Sequence, residues 1–182
     1  MNLKIRRASE KDATFLQQKF PKRTRGEELK DYFIECYDRQ EKGEMVLLAA
    51  EIDGNYVGYV KVLWQSVYAF FRENNIPEIN DLFVETEYRR KGIATRLVGE
   101  AENIIRNRSK IAGIGFGMYV DYGPAQRMYV LRGYVPDGKG LIYKDDYVKP
   151  GEVVPVDDDL ILFLIKKLRV SSKAYKIPQL RM

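Results

Sequence analysis

The clearest chemical signal in the sequence is a basic loop, residues 89–91, between an apolar run at 82–84 and an amphipathic stretch that begins at Gly92. The first turn of a helix has unpaired backbone N–H groups and the positive end of the helix dipole, so a loop over it can hold a diphosphate. Gly92 and Ala94 are small where such a ligand approaches the backbone. An ordinary helix start with solvated basic residues is the alternative. The candidate anion-binding residues are Arg89, Arg90, Lys91, Gly92, Ile93, Ala94 and Thr95.

Histidine is absent from the chain, and the one cysteine is Cys36. Without histidine the sequence cannot build a Ser-His-Asp triad, a Cys-His pair or a histidine-ligated metal site, and we expect no metal cofactor. Acid–base chemistry must then use Glu, Asp, Tyr, Lys, Cys, a chain terminus or water. Cys36 lies between Phe33 and Tyr37 in a helical pattern, which favours a buried apolar side chain over a catalytic thiol.

The composition is that of one globular domain, with 45% hydrophobic and 31% charged residues. The net charge of +5 suits an anionic cofactor or a nucleic acid. Acidic residues are interleaved with the basic ones, so we expect no nucleic-acid partner. The sequence has no apolar stretch of membrane-spanning length and no apolar core of a signal peptide near its start. We therefore expect no membrane association and a cytoplasmic protein.

The hydrophobic pattern predicts an α/β (α+β) fold, a mixed sheet with helices on its faces. The turn at 53–55 implies antiparallel pairing, and the lack of G-x-G-x-x-G after a strand argues against a Rossmann domain. We predict one domain over residues 1–169 and a basic C-terminal tail over 170–182. Strands are predicted at 3–6, 45–52, 56–63, 78–84, 111–120 and 160–166, and helices at about 9–20, 27–42, 92–106 and 124–131.

Two motifs resemble the GNAT superfamily of acyl-CoA N-acyltransferases. Arg89-x-x-Gly92-x-Ala94 matches its acyl-CoA signature, Q/R-x-x-G-x-G/A, and residues 125–134, AQRMYVLRGY, resemble its A-x-x-L-Y-x-x-x-G-F/Y segment. The motifs have the family's order and spacing, and the resemblance covers about residues 3–167. It implies a mostly antiparallel sheet of six to seven strands, with acetyl-CoA (coenzyme A) as acyl donor. The activity it implies is direct acetyl transfer to a primary amine of a small molecule or a protein.

The resemblance also implies roles for individual residues. The backbones of Phe83 and Val84 would pair with pantetheine at a β-bulge, and one N–H would face the thioester oxygen. Tyr129 matches the family tyrosine that donates a proton toward the CoA sulfur, although a packing role for its ring is the alternative. Glu78 and Asp81 are the candidate bases, and a chain of water molecules is the third option.

Some features depart from the family or leave the function open. Tyr122 stands where an asparagine is common, and residues 66–77 form a longer insert than in the shortest members. A non-catalytic acyl-CoA-binding regulatory domain is the first rival function, and a nucleic-acid-binding module is the second. A homodimer is compatible with the sequence, although no segment specifies one. Four aromatic residues near the insert could line an acceptor groove or belong to the core: Trp64, Tyr68, Phe70 and Phe71.

Overall fold

Ten strands and five α-helices make up the described part of the chain, residues 2–20, 22–24 and 27–168 of a computed structural model. The predicted tail at 170–182 lies outside the described residues. In chain order the elements are β1 (Leu3–Arg7), α1 (Glu10–Lys19), β2 (Lys22–Thr24), β3 (Glu27–Leu29), α2 (Tyr32–Glu41), β4 (Met45–Ile52), β5 (Asn55–Leu63), α3 (Ala69–Glu73), β6 (Glu78–Val84), α4 (Ile93–Arg106), β7 (Ile111–Gly117), α5 (Gly123–Leu131), β8 (Val135–Tyr143), β9 (Asp146–Tyr147) and β10 (Leu160–Lys167).

The main sheet has eight strands in the order β1-β4-β5-β6-β7-β10-β8-β9. Every neighbouring pair is antiparallel except β6 and β7, which confirms the mixed, mostly antiparallel sheet. The expected six to seven strands are too few. Strand β9 is two residues long, and the first half of β8 is polar and glycine-rich, so neither shows the alternation by which strands are recognised.

Helices cover both faces of the sheet. Helices α1 and α2 pack on one face, called here the α2 face, and α4 and α5 pack on the other, called the α4 face. Core residues of the α2 face include Leu16, Phe33, Cys36, Leu47 and Tyr59. Core residues of the α4 face include Val60, Ile79, Leu97, Ala101, Ile114 and Tyr129. The burial of Cys36 confirms its interpretation as an apolar side chain.

Two element boundaries differ from the prediction. The helix expected over 27–42 begins only at Tyr32, because residues 27–29 pair with β2 as a short strand. The apolar period of the helix does not extend back to Leu29, which is exposed. The strand expected over 111–120 ends at Gly117, and a 3₁₀ turn at Val120–Tyr122 leads into α5. No helix within the described ranges is long and apolar enough to cross a membrane.

Candidate functional site

Strands β6 and β7 separate soon after they meet, and this opens a gap in the middle of the sheet. Their parallel pairing consists of Glu78 with Gly113 and Ile79 with Ile114. Beyond these pairs β6 continues to Val84 and β7 to Gly117, at the same edge of the sheet. Backbone groups that face the gap therefore lack the sheet partner that a continuous ladder would supply.

A β-bulge at Asp81 accompanies the separation. On the β5 side, Lys61 pairs with Asn80 while Tyr59 pairs with Phe83, so β6 carries one more residue than β5 across this interval. Asp81 has φ of +51°, a left-handed conformation that is uncommon for a residue other than glycine. The bulge bends the strand away from β7. A β-bulge in this strand is what the family resemblance implies.

The end of β6 directs one backbone unit into the gap. The N–H of Glu85 donates to Val57 O at 2.9 Å and so faces β5. Because successive residues of a strand direct their backbone groups to opposite sides, the N–H and C=O of Val84 face the gap. The carbonyl of Val84 accepts a hydrogen bond from Arg89 Nε at 3.0 Å. The N–H of Val84 points to the same side and is available to a bound ligand.

The basic loop leads into α4 at the edge of this gap. Arg90 and Gly92 both have left-handed backbones, with φ of +62° and +78°. Left-handed residues in such loops turn N–H groups toward a common concave point. The first hydrogen bond of α4 runs from Arg96 N to Gly92 O, so the N–H groups of residues 93–95 have no acceptor within the helix. No side chain of the described residues caps this helix start.

The basic side chains of the loop have different surroundings. Arg89, predicted to attract an anion by its charge, also ties the loop to the end of β6, because its Nε donates to Val84 O. Lys91 places its ammonium group 5.1 Å from the centre of the Tyr88 ring. Arg90 and Lys91 are exposed, and they add positive charge to the end of the helix dipole. The loop thus combines backbone donors with a basic surface.

Tyr129 lies on α5, on the side of the gap formed by β7. Its ring centroid is 6.1 Å from that of Phe116, a β7 residue beyond the last pair with β6. The side chain is 4% exposed, and burial raises the pKa of its hydroxyl above the ordinary value. A tyrosine hydroxyl is already protonated at neutral pH, and burial favours this neutral form further, which is the form a proton donor requires. The Tyr129 ring also packs in the core, which was the alternative to the proton-donor role.

Glu78, the first candidate base, is buried at the start of β6. It is 4% exposed and accepts hydrogen bonds from the hydroxyl of Ser66 and from Asn80 Nδ2, the latter at 2.8 Å. Burial raises the pKa of its carboxyl, and the two hydrogen bonds oppose that rise. Ser66 also accepts from the N–H of Tyr68 at 3.0 Å. Glu78 therefore anchors the insert as well as carrying a carboxylate with perturbed acidity.

Asp81, the second candidate base, belongs to a polar network on the α2 face. The hydroxyl of Tyr32, from α2, donates to Asp81 Oδ2 at 2.5 Å. The ammonium of Lys61, from β5, donates to the Tyr32 oxygen at 2.6 Å. Burial and the nearby Asp81 carboxylate raise the pKa of Tyr32, so this phenol remains a donor. The network places a carboxylate at the bulge itself.

The insert packs mainly as core. Tyr68 and Phe71 are buried, and the Tyr68 ring stacks on Phe163 at 4.0 Å. A Cβ built at Gly113 would lie 2.2 Å from the Phe71 ring, so the ring rests directly on the β7 backbone. The groove-lining hypothesis is therefore wrong for these two rings. Phe70 lies under Lys139 with 4.7 Å between ammonium and ring, and Trp64 lies against Arg108 at 4.2 Å.

Tyr122, the residue in place of the common asparagine, is used inside the protein. Its ring lies over Gly117, where an added Cβ would approach it to 2.5 Å. Its hydroxyl donates to Asp158 Oδ1 at 3.0 Å, and the hydroxyl of Tyr119 donates to the same atom at 2.5 Å. The two tyrosines thus tie the segment before β10 to the C-terminal end of β7.

Sequence reasoning missed four polar residues that flank the candidate bases. Lys61 is the one that the sequence could have revealed, since a charge inside the apolar run of 56–63 must face a polar neighbour. Tyr32, Ser66 and Asn80 carry no local signal, because they reach the bases through contacts that only the fold creates.

Comparison of the sequence with known proteins returns acetyltransferases. The model of the acetyltransferase (GNAT) family matches residues 11–134, which is more than half of the chain. An uncharacterised N-acetyltransferase of Archaeoglobus fulgidus is 36% identical over 97 residues. That match spans 52% of this chain and 62% of the relative, so the chain covers less than two thirds of the length of this relative.

Solved structures share the fold at low sequence identity. The N-acetyltransferase from Staphylococcus aureus Mu50 superposes with a TM-score of 0.68 at 15% identity, over 93% of this chain and 100% of its own. The Salmonella typhimurium protein yncA, solved with its cofactor acetyl-CoA, gives a TM-score of 0.65 at 16% identity, over 97% and 100% of the two chains. At these identities the likeness establishes the architecture.

Proposed function

The chain belongs to the acetyltransferase (GNAT) family, and on that premise we propose that it transfers an acetyl group from acetyl-CoA to a primary amine of a small molecule or a protein. The observation that carries the proposal is the gap between β6 and β7. A basic helix start lies at the gap's edge, and a buried tyrosine stands on its β7 side. The diphosphate of CoA would lie at the helix start, the extended arm in the gap, and the thioester near the tyrosine.

Each part of the site supports one requirement of the reaction. The N–H groups of residues 93–95 and the charges of Arg90 and Lys91 would hold the diphosphate of CoA. The pantetheine arm would lie in the gap and pair with backbone groups of β6, in place of the missing β7 partner. The N–H of Val84 would donate to the thioester oxygen and stabilise the negative charge that develops there.

Proton transfer completes the proposed mechanism. A protonated acceptor amine must lose one proton before its nitrogen attacks the thioester carbonyl and a second after the C–N bond forms. The C–S bond then breaks, and the leaving thiolate gains one proton. Tyr129 would supply the proton to the sulfur, since its hydroxyl is protonated at neutral pH and burial favours that form further. Of the two carboxylates, Glu78 is favoured as base because burial raises its pKa toward the working pH. Asp81, at the bulge, is the second candidate.

The test measures binding and turnover separately. CoA is titrated while the melting temperature is followed, and thiol release from acetyl-CoA is then measured with a panel of primary amines against a blank without amine. We expect CoA to raise the melting temperature and at least one amine to accelerate thiol release. Binding with no release above the blank for any amine would favour the non-catalytic CoA-binding function. Absence of any shift at millimolar CoA, with the protein folded, would refute CoA binding altogether.

A further inference from the structure

Arg132, the residue that follows α5, connects that helix to two separate points of α4. Its Nη1 donates to the carbonyl of Thr95 at 3.1 Å, in the first turn of α4. Its Nη2 and Nε donate to the two carboxylate oxygens of Glu102 at 2.8 and 3.3 Å, two turns further along. One guanidinium therefore spans half of α4 with three hydrogen bonds, and its planar fork fixes their directions.

The carboxylate in this contact is buried. Glu102 is 4% exposed and lies in α4 beside the core residue Ala101. Its second cation is Lys166 of β10, whose Nζ lies 2.9 Å from Glu102 Oε1. Buried ion pairs are often no more stabilising than apolar residues of the same volume, and their clearest use is to select one geometry among several. We therefore expect Glu102 and Arg132 to select one arrangement of the two helices rather than to add stability.

The two helices that Arg132 joins carry different ends of the proposed CoA site. The backbone N–H of Arg132 is shared between Met128 O at 3.0 Å and Tyr129 O at 3.1 Å, so this residue also closes the helical turn that bears the tyrosine. Thr95, at the other end of the guanidinium, belongs to the helix start that is proposed to hold the diphosphate. The same residue thus bonds directly to the turn at the thiol end and to the turn at the diphosphate end.

We propose that Arg132 is a positioning residue, which with Glu102 fixes the distance between the diphosphate-binding start of α4 and the hydroxyl of Tyr129. This inference rests on the proposed function, because it assumes that CoA spans these two points. The guanidinium hydrogen bonds of Arg132 go to protein groups, Glu102 and Thr95 O. Arg132 acts by keeping α5 in one register along α4, so that the sulfur of a bound CoA falls within reach of Tyr129.

The test compares CoA with ADP, which carries the adenosine and diphosphate of CoA without the pantetheine arm. Arg132→Lys keeps the charge beside Glu102 but cannot hold Glu102 and Thr95 O at once. Dissociation constants for both ligands are measured by calorimetry for the wild type and the variant. We expect the ADP constant to stay within about twofold and the CoA constant to rise about tenfold. Turnover should fall about 10²-fold, the size of effect that a displacement of about 1 Å produces in other enzymes.

A matched control and a double variant separate positioning from general destabilisation. Lys166→Met removes the other cation of Glu102 from the β10 side, so it should lower the melting temperature while leaving the CoA-to-ADP affinity ratio unchanged. Arg132→Lys combined with Tyr129→Phe should lose little more turnover than Tyr129→Phe alone, because the first change acts through the second residue. If Arg132→Lys misfolds, Glu102→Gln, which weakens the same contact, replaces it in every measurement.

The outcomes are distinct. Two results for Arg132→Lys would each overturn the positioning role. One is an unchanged ratio of CoA to ADP affinity, whether or not both ligands bind more weakly, and the other is an additive loss of turnover in the double variant. The same change of ratio in Lys166→Met would also overturn it, because it would show that any loss of stability alters the ratio. A wild-type protein that binds neither ligand would instead refute the proposed function, and with it the inference.

Discussion

Replacement of Gly92 by glutamate and by glutamine tests where the diphosphate lies. Gly92 has φ of +78°, and a Cβ built on it would meet no atom within 4 Å, so both side chains enter open space at the start of α4. Both variants force an L-residue into a left-handed conformation, which costs roughly 1–2 kcal/mol. For a domain of this size each kcal/mol lowers the melting temperature by roughly 2–4 °C, so both unliganded variants should melt roughly 2–8 °C below the wild type.

The two variants should differ in how CoA affects them. A carboxylate roughly 6 Å from a negative charge of the diphosphate, at an effective dielectric constant of about 40, opposes binding by about 1.4 kcal/mol. That is about a tenfold rise in the dissociation constant for each such charge. Glutamine has the same bulk and the same backbone strain but no charge. We therefore expect the glutamate variant to bind CoA at least about tenfold more weakly than the glutamine variant.

The assay is calorimetric titration with CoA at low salt, supported by thermal shifts. The wild type at 100 times its dissociation constant gains about 2.7 kcal/mol, which corresponds to roughly 5–11 °C. Added salt should narrow the difference between the two variants, because it screens the repulsion. Equal CoA affinity in the two variants at low salt would show that no anion of the ligand lies near Gly92, and the assignment of the helix start as the diphosphate site would be wrong.

Three further predictions concern the proposed proton-transfer residues. Tyr129→Phe keeps the ring in the core and removes the hydroxyl, so kcat should fall about 10²–10⁴-fold with little change in CoA affinity; a loss below about threefold would make Tyr129 a packing residue. Glu78→Gln should lower kcat by a similar factor and abolish the acidic limb of the pH–rate profile if Glu78 is the base, whereas an unchanged profile would assign that role elsewhere. Burial raises the pKa of Glu78 in the folded protein above its ordinary value of 4.5. Its contribution to the free energy of unfolding is therefore most favourable below pH 4.5, and it is lost as pH rises through the pKa of the folded state. The glutamine variant should therefore gain stability relative to the wild type as pH increases toward neutrality, and a constant difference would contradict the burial argument.

The parts of the site that could be predicted from sequence are those written in short segments. The basic loop and the helix that begins after Gly92 are read directly from consecutive residues, and the structure places them at the edge of the gap. The family motifs added Tyr129 and the end of β6. The position of the bulge follows from the left-handed backbone of Asp81, and no residue type in 78–84 requires that conformation.

Contacts between distant segments could not be predicted. Arg132 meets Glu102 across 30 residues, and Tyr32 meets Asp81 across 49, and each partner looks like an ordinary surface residue in its own segment. The late start of α2 has a similar cause. Residues 27–29 form a strand because they pair with β2. That pairing requires the chain to turn back on itself, and an amphipathic pattern does not indicate such a turn.

The separation of β6 from β7 also divides the hydrogen-bond ladder of the sheet into two halves. Strands β1, β4, β5 and β6 form one antiparallel half and β7, β10, β8 and β9 form the other, and two residue pairs join the halves. A cofactor that lies in the gap and bonds to both sides would connect the two halves of the sheet. Its free energy of binding would then oppose their separation. Opening of the far strands β8 and β10, which a ligand in the gap does not touch, would then become rarer when the cofactor is bound. In the proposed enzyme the acyl donor would thus be consumed as a substrate and, while bound, would hold the architecture together.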